Sequence, residues 1–168
     1  MNFRALVIAA LSSAVLLVAQ DKAEWFGLGI NAYQKGNYGE AAVNFTRAIE
    51  LDSMNHIFWF NRATCFVKMR DYDKAIFDLQ RTITLDPMSA NAYMQLAVVL
   101  AETRRHENAI LAVSKAIELD STLPKTHYLR GRLYLSTGDT VAACSDLRVS
   151  SERGDPAARS LLKETCEP

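Results

Sequence analysis

The sequence predicts an all-α chain: four helix pairs stacked as an α-solenoid, with one more helix closing the C-terminal end. Three observations predict it. Five columns of side chains recur at a spacing of 34 residues, which marks a stacked two-helix repeat. Apolar residues make up 49% and charged residues 23% of the 168 residues, ordinary values for a folded chain. Four prolines and seven glycines are too few for the turns of an all-β chain. The formal net charge is zero, which leaves no basic footprint for nucleic acid and no acidic tail.

The chain opens with a segment of different character. Arg4 is followed by an apolar run from Ala5 to Ala19 with no acidic residue, the layout of a secretory signal. Cleavage is expected after Ala19, so that residues 1–19 are removed and Gln20 starts the mature chain, although Leu17 stands where a small residue is preferred. The alternative is a retained membrane anchor, for which the run is short against the roughly 20 apolar residues of a spanning helix. The expected location is the cell envelope or periplasm, or the medium if the protein is released.

From residue 22 the columns take over. Ala41, Ala75, Ala109 and Ala143 lie 34 residues apart. Twelve residues before each stands a small residue, Gly29, Ala63, Ala97 and Gly131. Four after each comes Phe45, Leu79, Val113 or Leu147, and seven after come Ala48, Thr82, Ala116 and Ser150. Trp25, Trp59, Tyr93 and His127 complete the set. The small residues mark where two helices of a pair approach most closely, and a bulkier side chain there would overpack by about 1–3 kcal/mol. Breakers separate the helices: Gly36 and Gly138 just past helix ends, then Asp52-Ser53, Asp86-Pro87 and Asp120-Ser121 between units. Helices are predicted near 22–35, 38–51, 56–69, 72–85, 90–103, 106–119, 124–137 and 140–152. Beyond them Gly154 ends one helix, Asp155 caps the next and Pro156 suits its first turn. A short helix over 156–165 should then cover the open end through Leu161 and Leu162.

These columns, from Trp25 and Trp59 through to Asp86-Pro87, resemble the tetratricopeptide repeat (TPR). The resemblance covers residues 22–155 as units of about 22–55, 56–89, 90–123 and 124–155, with a capping helix and tail over 156–168. The fourth unit departs most, with His127 in the aromatic column, Thr140 where Tyr38 and Tyr72 stand, and Arg153 in place of a leucine. A terminal unit drifts because one side no longer packs on a repeat.

The resemblance implies a partner-binding groove lined by the first helix of each unit. Its positions here are Ala23, Phe26, Ile30 and Tyr33, then Ile57, Phe60, Thr64 and Val67 with Asn61 beside them, then Asn91, Met94, Val98 and Ala101, then Lys125, Tyr128, Arg132 and Leu135. Most are apolar, and an exposed apolar patch of that size marks an interaction site. The expected occupant is an amphipathic helix or apolar peptide of a partner protein. The alternatives are a second copy of the chain and packing within it. The cationic clamp by which some TPR modules hold a chaperone C-terminus is not expected. Only Asn61 matches it, while Phe26, Ile30, Asn91 and Gln95 stand at its other positions.

Cys144 lies about ten residues before the Gly154-Asp155 turn and Cys166 about eleven after it. Antiparallel helices would bring them level, and short exported bacterial TPR proteins of similar layout carry such a pair. A Cys144–Cys166 disulfide is expected in an oxidising compartment; the alternative is two free thiols. Cys65 reads as a core residue. No phosphate loop, Gly-x-Ser-x-Gly, His-Glu-x-x-His or Cys-x-x-Cys occurs. The chain is therefore expected to bind protein, with no enzymatic activity, metal, cofactor, nucleic acid or small-molecule substrate.

Overall fold

The computed structural model describes residues 22–166, and the expected leader over 1–19 lies outside them. Among the described residues there are nine helices and no strand: α1 at residues 22–34, α2 (Tyr38–Leu51), α3 (His56–Lys68), α4 (Tyr72–Leu85), α5 (Ala90–Glu102), α6 (His106–Leu119), α7 (Thr126–Thr137), α8 (Thr140–Glu152) and α9 (Pro156–Cys166). The chain is of the all-α solenoid class with a C-terminal helix. No helix among the described residues is long and apolar enough to cross a membrane. The chain divides into two compact units, Met1–Arg81 and Thr82–Pro168.

The periodic columns are the core. Ala41, Ala75, Ala109 and Ala143 are fully buried, as are Phe45, Leu79, Val113 and Leu147. Gly29 and Gly131 are buried where the sequence places the tightest approach. A β-carbon on Gly29 would stand 2.5 Å from the ring of Phe45, which is itself fully buried and would have to shift. Gly29→Ala is therefore expected to destabilise the chain by about 1–3 kcal/mol despite the better helix propensity of alanine. At Gly131 the nearest atoms are 3.1–3.3 Å away, and Gly131→Ala should cost little. Urea denaturation of the two variants side by side checks this contrast.

The turns repeat with the same period. Residues 36, 70, 104 and 138 all adopt left-handed backbone, as Gly36, Arg70, Arg104 and Gly138. Each ends a first helix, and the amide of the following residue bonds back across the turn, as Asn37 does to Ala32 and Arg105 to Leu100, at 2.9 and 2.8 Å. Arginine is strained there by about 1–2 kcal/mol, partly offset by the larger entropy glycine loses on folding. Arg104→Gly is expected to raise stability by about 0.5 kcal/mol, read as a higher urea midpoint. Between units, Asp52, Asp86 and Asp120 each accept the amide two residues on, from Met54, Met88 and Thr122. The fourth unit starts later than expected. Helix α7 begins at Thr126, because Pro124 keeps Leu123 out of helical backbone and Lys125 turns left-handed at φ 64°.

A buried ionic bracket appears once in each of the two compact units. In the first, Asp78 accepts both Nε and Nη2 of Arg62 at 2.8 Å, and Arg62 Nη1 donates to Thr46 at 2.9 Å. In the second, Asp146 accepts Nε and Nη2 of Arg130 at 2.7 and 2.9 Å, and Nη1 donates to Ser114 at 3.1 Å. The three residues of the second bracket lie two repeat periods after those of the first, which marks α7–α8 as a further copy of the same unit.

Helix α9 closes the chain. Asp155 accepts the amides of Ala157 and Ala158 at 2.9 and 3.3 Å, and Pro156 takes the first helical position. Ala158 and Leu162 join Leu147 in a buried cluster with Leu161 against its edge. The Cys144–Cys166 disulfide forms, with Cα atoms 5.8 Å apart, so the expected pairing stands.

Candidate functional site

In the second unit α5 and α7 lie side by side and enclose a cleft of about 290 Å³. Helix α5 offers Met94, Val98 and Ala101, four and three residues apart and hence on one face. Helix α7 offers Tyr128, Leu129, Arg132, Leu133 and Ser136 from the facing side. Lys125 stands at one edge, and Glu102 and His106 close the junction of α5 with α6. The floor is apolar and the rim polar, as in a site for a peptide side chain.

The rim is electrostatically open. The Arg132 guanidinium stacks over the Tyr128 ring, 5.7 Å from its centre. Lys125, Arg132 and Glu102 make no ion pair among the described residues, in contrast to the bracketed Arg130 two residues from Arg132. Nδ1 of His106 is shielded from solvent and has no hydrogen-bond partner among the described residues. Among the described residues no group of His, Cys, Asp and Glu could hold a metal ion.

Of the groove residues expected from the sequence, Met94, Val98, Ala101, Lys125, Tyr128 and Arg132 come together in this cleft. Asn91 is exposed one turn earlier on α5, and Leu135 turns to the cluster beneath α9. In the first unit the side chains serve other contacts. Phe26 packs on Phe45 and Phe58, with ring centres 5.7 and 5.2 Å away. Ile30 and Tyr33 pack on the core around Ala41, Phe45 and Cys65, where burial pushes the Tyr33 phenol up. Asn61 donates to the carbonyl of Ile57 at 2.7 Å and Thr64 to that of Phe60 at 2.9 Å, both within α3. Ile57 is exposed, and Phe60 and Val67 are half-buried. Sequence reasoning missed Glu102, His106, Leu129, Leu133 and Ser136. The groove rule names one stripe of the first helix, whereas these residues enter from beside that stripe or from the next helix start.

Family comparison agrees with the repeat fold. Three tetratricopeptide repeat models match, over residues 23–55, 57–89 and 90–123, more than half of the chain. No curated protein matches the sequence significantly. Among solved structures, MamA is 22% identical, covering 88% of this chain and 86% of its own at a TM-score of 0.78. The TPR domain of Arabidopsis OM64 is 22% identical over 68% of this chain and 94% of its own, at 0.66. The first TPR of Spaghetti (RPAP3), bound to the HSP90 peptide SRMEEVD, is 18% identical over 71% and 94%, at 0.69. At such identities the likeness is one of fold. Tetratricopeptide domains are generally protein–protein interaction modules and usually non-enzymatic. With the 34-residue core columns, the repeated turns and three model matches in register, the chain belongs to the tetratricopeptide repeat family.

Proposed function

We propose that the protein is a non-catalytic adaptor of the cell envelope that holds a segment of a partner protein in the α5/α7 cleft. The observation that carries this is the cleft itself, where half-buried Met94, Val98 and Tyr128 line a floor beneath Lys125 and Arg132, which make no ion pair among the described residues. A volume of about 290 Å³ sits at the lower limit for ligand sites and suits one anchoring side chain better than a cofactor. The two cations favour an acidic residue beside that anchor. The HSP90 peptide held by the Spaghetti domain has a methionine next to two glutamates, a composition of the same kind. The envelope location is supported by the signal-like residues 1–19 and by a disulfide of the sort that persists in oxidising compartments.

Selection of a random peptide library on residues 20–168, with Val98→Glu as counter-target, tests the reading. Peptides with an apolar anchor and a neighbouring acid are expected, binding Val98→Glu at least about tenfold more weakly because a carboxylate then occupies the apolar floor. Equal binding by a folded Val98→Glu protein would remove the cleft from consideration. Self-association is the second reading. Val43 and Phe77, one period apart in the first compact unit, are 61% and 56% exposed. Sedimentation over a range of concentrations separates the two.

A further inference from the structure

Tyr128 takes part in two assemblies. It lines the cleft with Met94, Val98 and Arg132, and it also packs, with Leu135, on the cluster of Leu147, Ala158 and Leu162. Ala158 and Leu162 belong to α9, a helix of 11 residues, too short to be stable by itself in water. What keeps α9 in place is its apolar face and the Cys144–Cys166 bond, and Cys166 lies against the same cluster. Resting on the cleft reading above, we propose that this bond governs the cleft. While it is intact, α9 holds Tyr128 as a wall of the binding site; reduction by a dithiol loosens that wall and weakens ligand binding.

The chemistry is ordinary thiol–disulfide exchange. A thiolate of the dithiol attacks one sulfur of the Cys144–Cys166 bond, forms a mixed disulfide and releases the other cysteine as a thiolate, which takes up a proton. The second thiol of the reductant then displaces the first cysteine. Two electrons and two protons pass from the dithiol to Cys144 and Cys166, and the reductant leaves as its own disulfide. Cys65 takes no part, because its thiol is fully buried and burial pushes it up to about 12.

Tyr128 is where the effect is transmitted. Without α9 the cluster on which its ring packs keeps Leu147 but loses Ala158 and Leu162, and the side chain regains rotamer freedom. Arg132, stacked over that ring, loses a fixed platform, so both an apolar wall and a rim cation become less ordered together.

Hydrogen–deuterium exchange on the oxidised chain and on the same chain in excess dithiothreitol tests the coupling without any ligand. Amides of α7 around Tyr128 are expected to exchange about tenfold faster after reduction, with α5 and α6 changing less than about twofold. Acceleration confined to residues 153–166, or spread evenly over the whole second unit, would overturn the proposal. Leu162→Ala with the disulfide intact provides an arm in which the covalent clamp remains. It should raise α7 exchange, and Leu162→Met should restore it; α7 exchange unchanged in Leu162→Ala would also overturn the coupling. Failure of the peptide selection would remove the ligand reading alone, whereas a failure of these exchange patterns would remove the coupling alone.

Discussion

Replacing Asp78 by alanine is expected to cost about 3–5 kcal/mol, among the largest single-site losses available in this chain. Asp78 is 1% exposed and Arg62 14%, so the substitution leaves a guanidinium enclosed without its carboxylate. The pair itself is not the source of that stability. Burial pushes the Asp78 carboxyl up, and the opposing pull of Arg62 is smaller. A carboxyl whose proton affinity is higher in the folded state makes the fold less stable as pH rises through that range. The ionised pair therefore gains little over water, and its loss is costly because one partner stays behind. The chain contains its own control. One period after Arg62 and Asp78, the third unit carries Leu96 and Ala112, with Ala112 buried. Importing that solution, Arg62→Leu together with Asp78→Ala should return stability to within about 1 kcal/mol of the parent. Urea midpoints of the single and double variants decide it. A double variant as unstable as Asp78→Ala would show that the bracket stabilises in its own right. Arg62→Leu alone should regain stability as pH falls, since Asp78 is then the group that must be neutralised.

The repeat was legible because packing imposes it directly. Gly29, Ala63, Ala97 and Gly131 have to be small where two helices touch, and Phe45, Leu79, Val113 and Leu147 have to fill the space beside them, so each spacing in the sequence is a spacing in the core. The C-terminal hairpin was legible for a related reason: Gly154, Asp155 and Pro156 fix its turn, and the turn fixes which residues stand level. The brackets were not read, since an arginine and an aspartate 16 residues apart carry no mark of burial until their helices are placed. Nor were Arg70 and Arg104 in left-handed backbone, because the surrounding hydrogen bonds impose on them what glycine adopts freely. At the candidate site the apolar positions were identified but not sorted. Phe26 and Val98 look alike in sequence, yet the first packs on Phe45 and Phe58 while the second lines a cleft. That difference depends on the neighbours each helix meets, which a one-dimensional pattern does not record.

Removing the disulfide, as Cys144→Ser with Cys166→Ser, is expected to lower stability by about 3 kcal/mol, the chain-entropy value for a link spanning 22 residues. The cost should fall on the C-terminal hairpin first. Leu147 of α8 is fully buried, and α9 supplies Ala158 and Leu162 to its cluster, so a detached α9 would open core surface rather than merely free a tail. That ties the end of the chain to α7 and α8 and makes local fraying expensive. Urea titration of the double variant against the oxidised parent measures the loss, and the parent in dithiothreitol should match the variant, because Cys65 forms no bond in either state. A loss below about 1 kcal/mol would mean that the apolar face of α9 suffices to hold it. The link would then matter for keeping the helix docked under reducing or denaturing stress, and the Leu162 contact with the cluster would be the larger contribution at equilibrium.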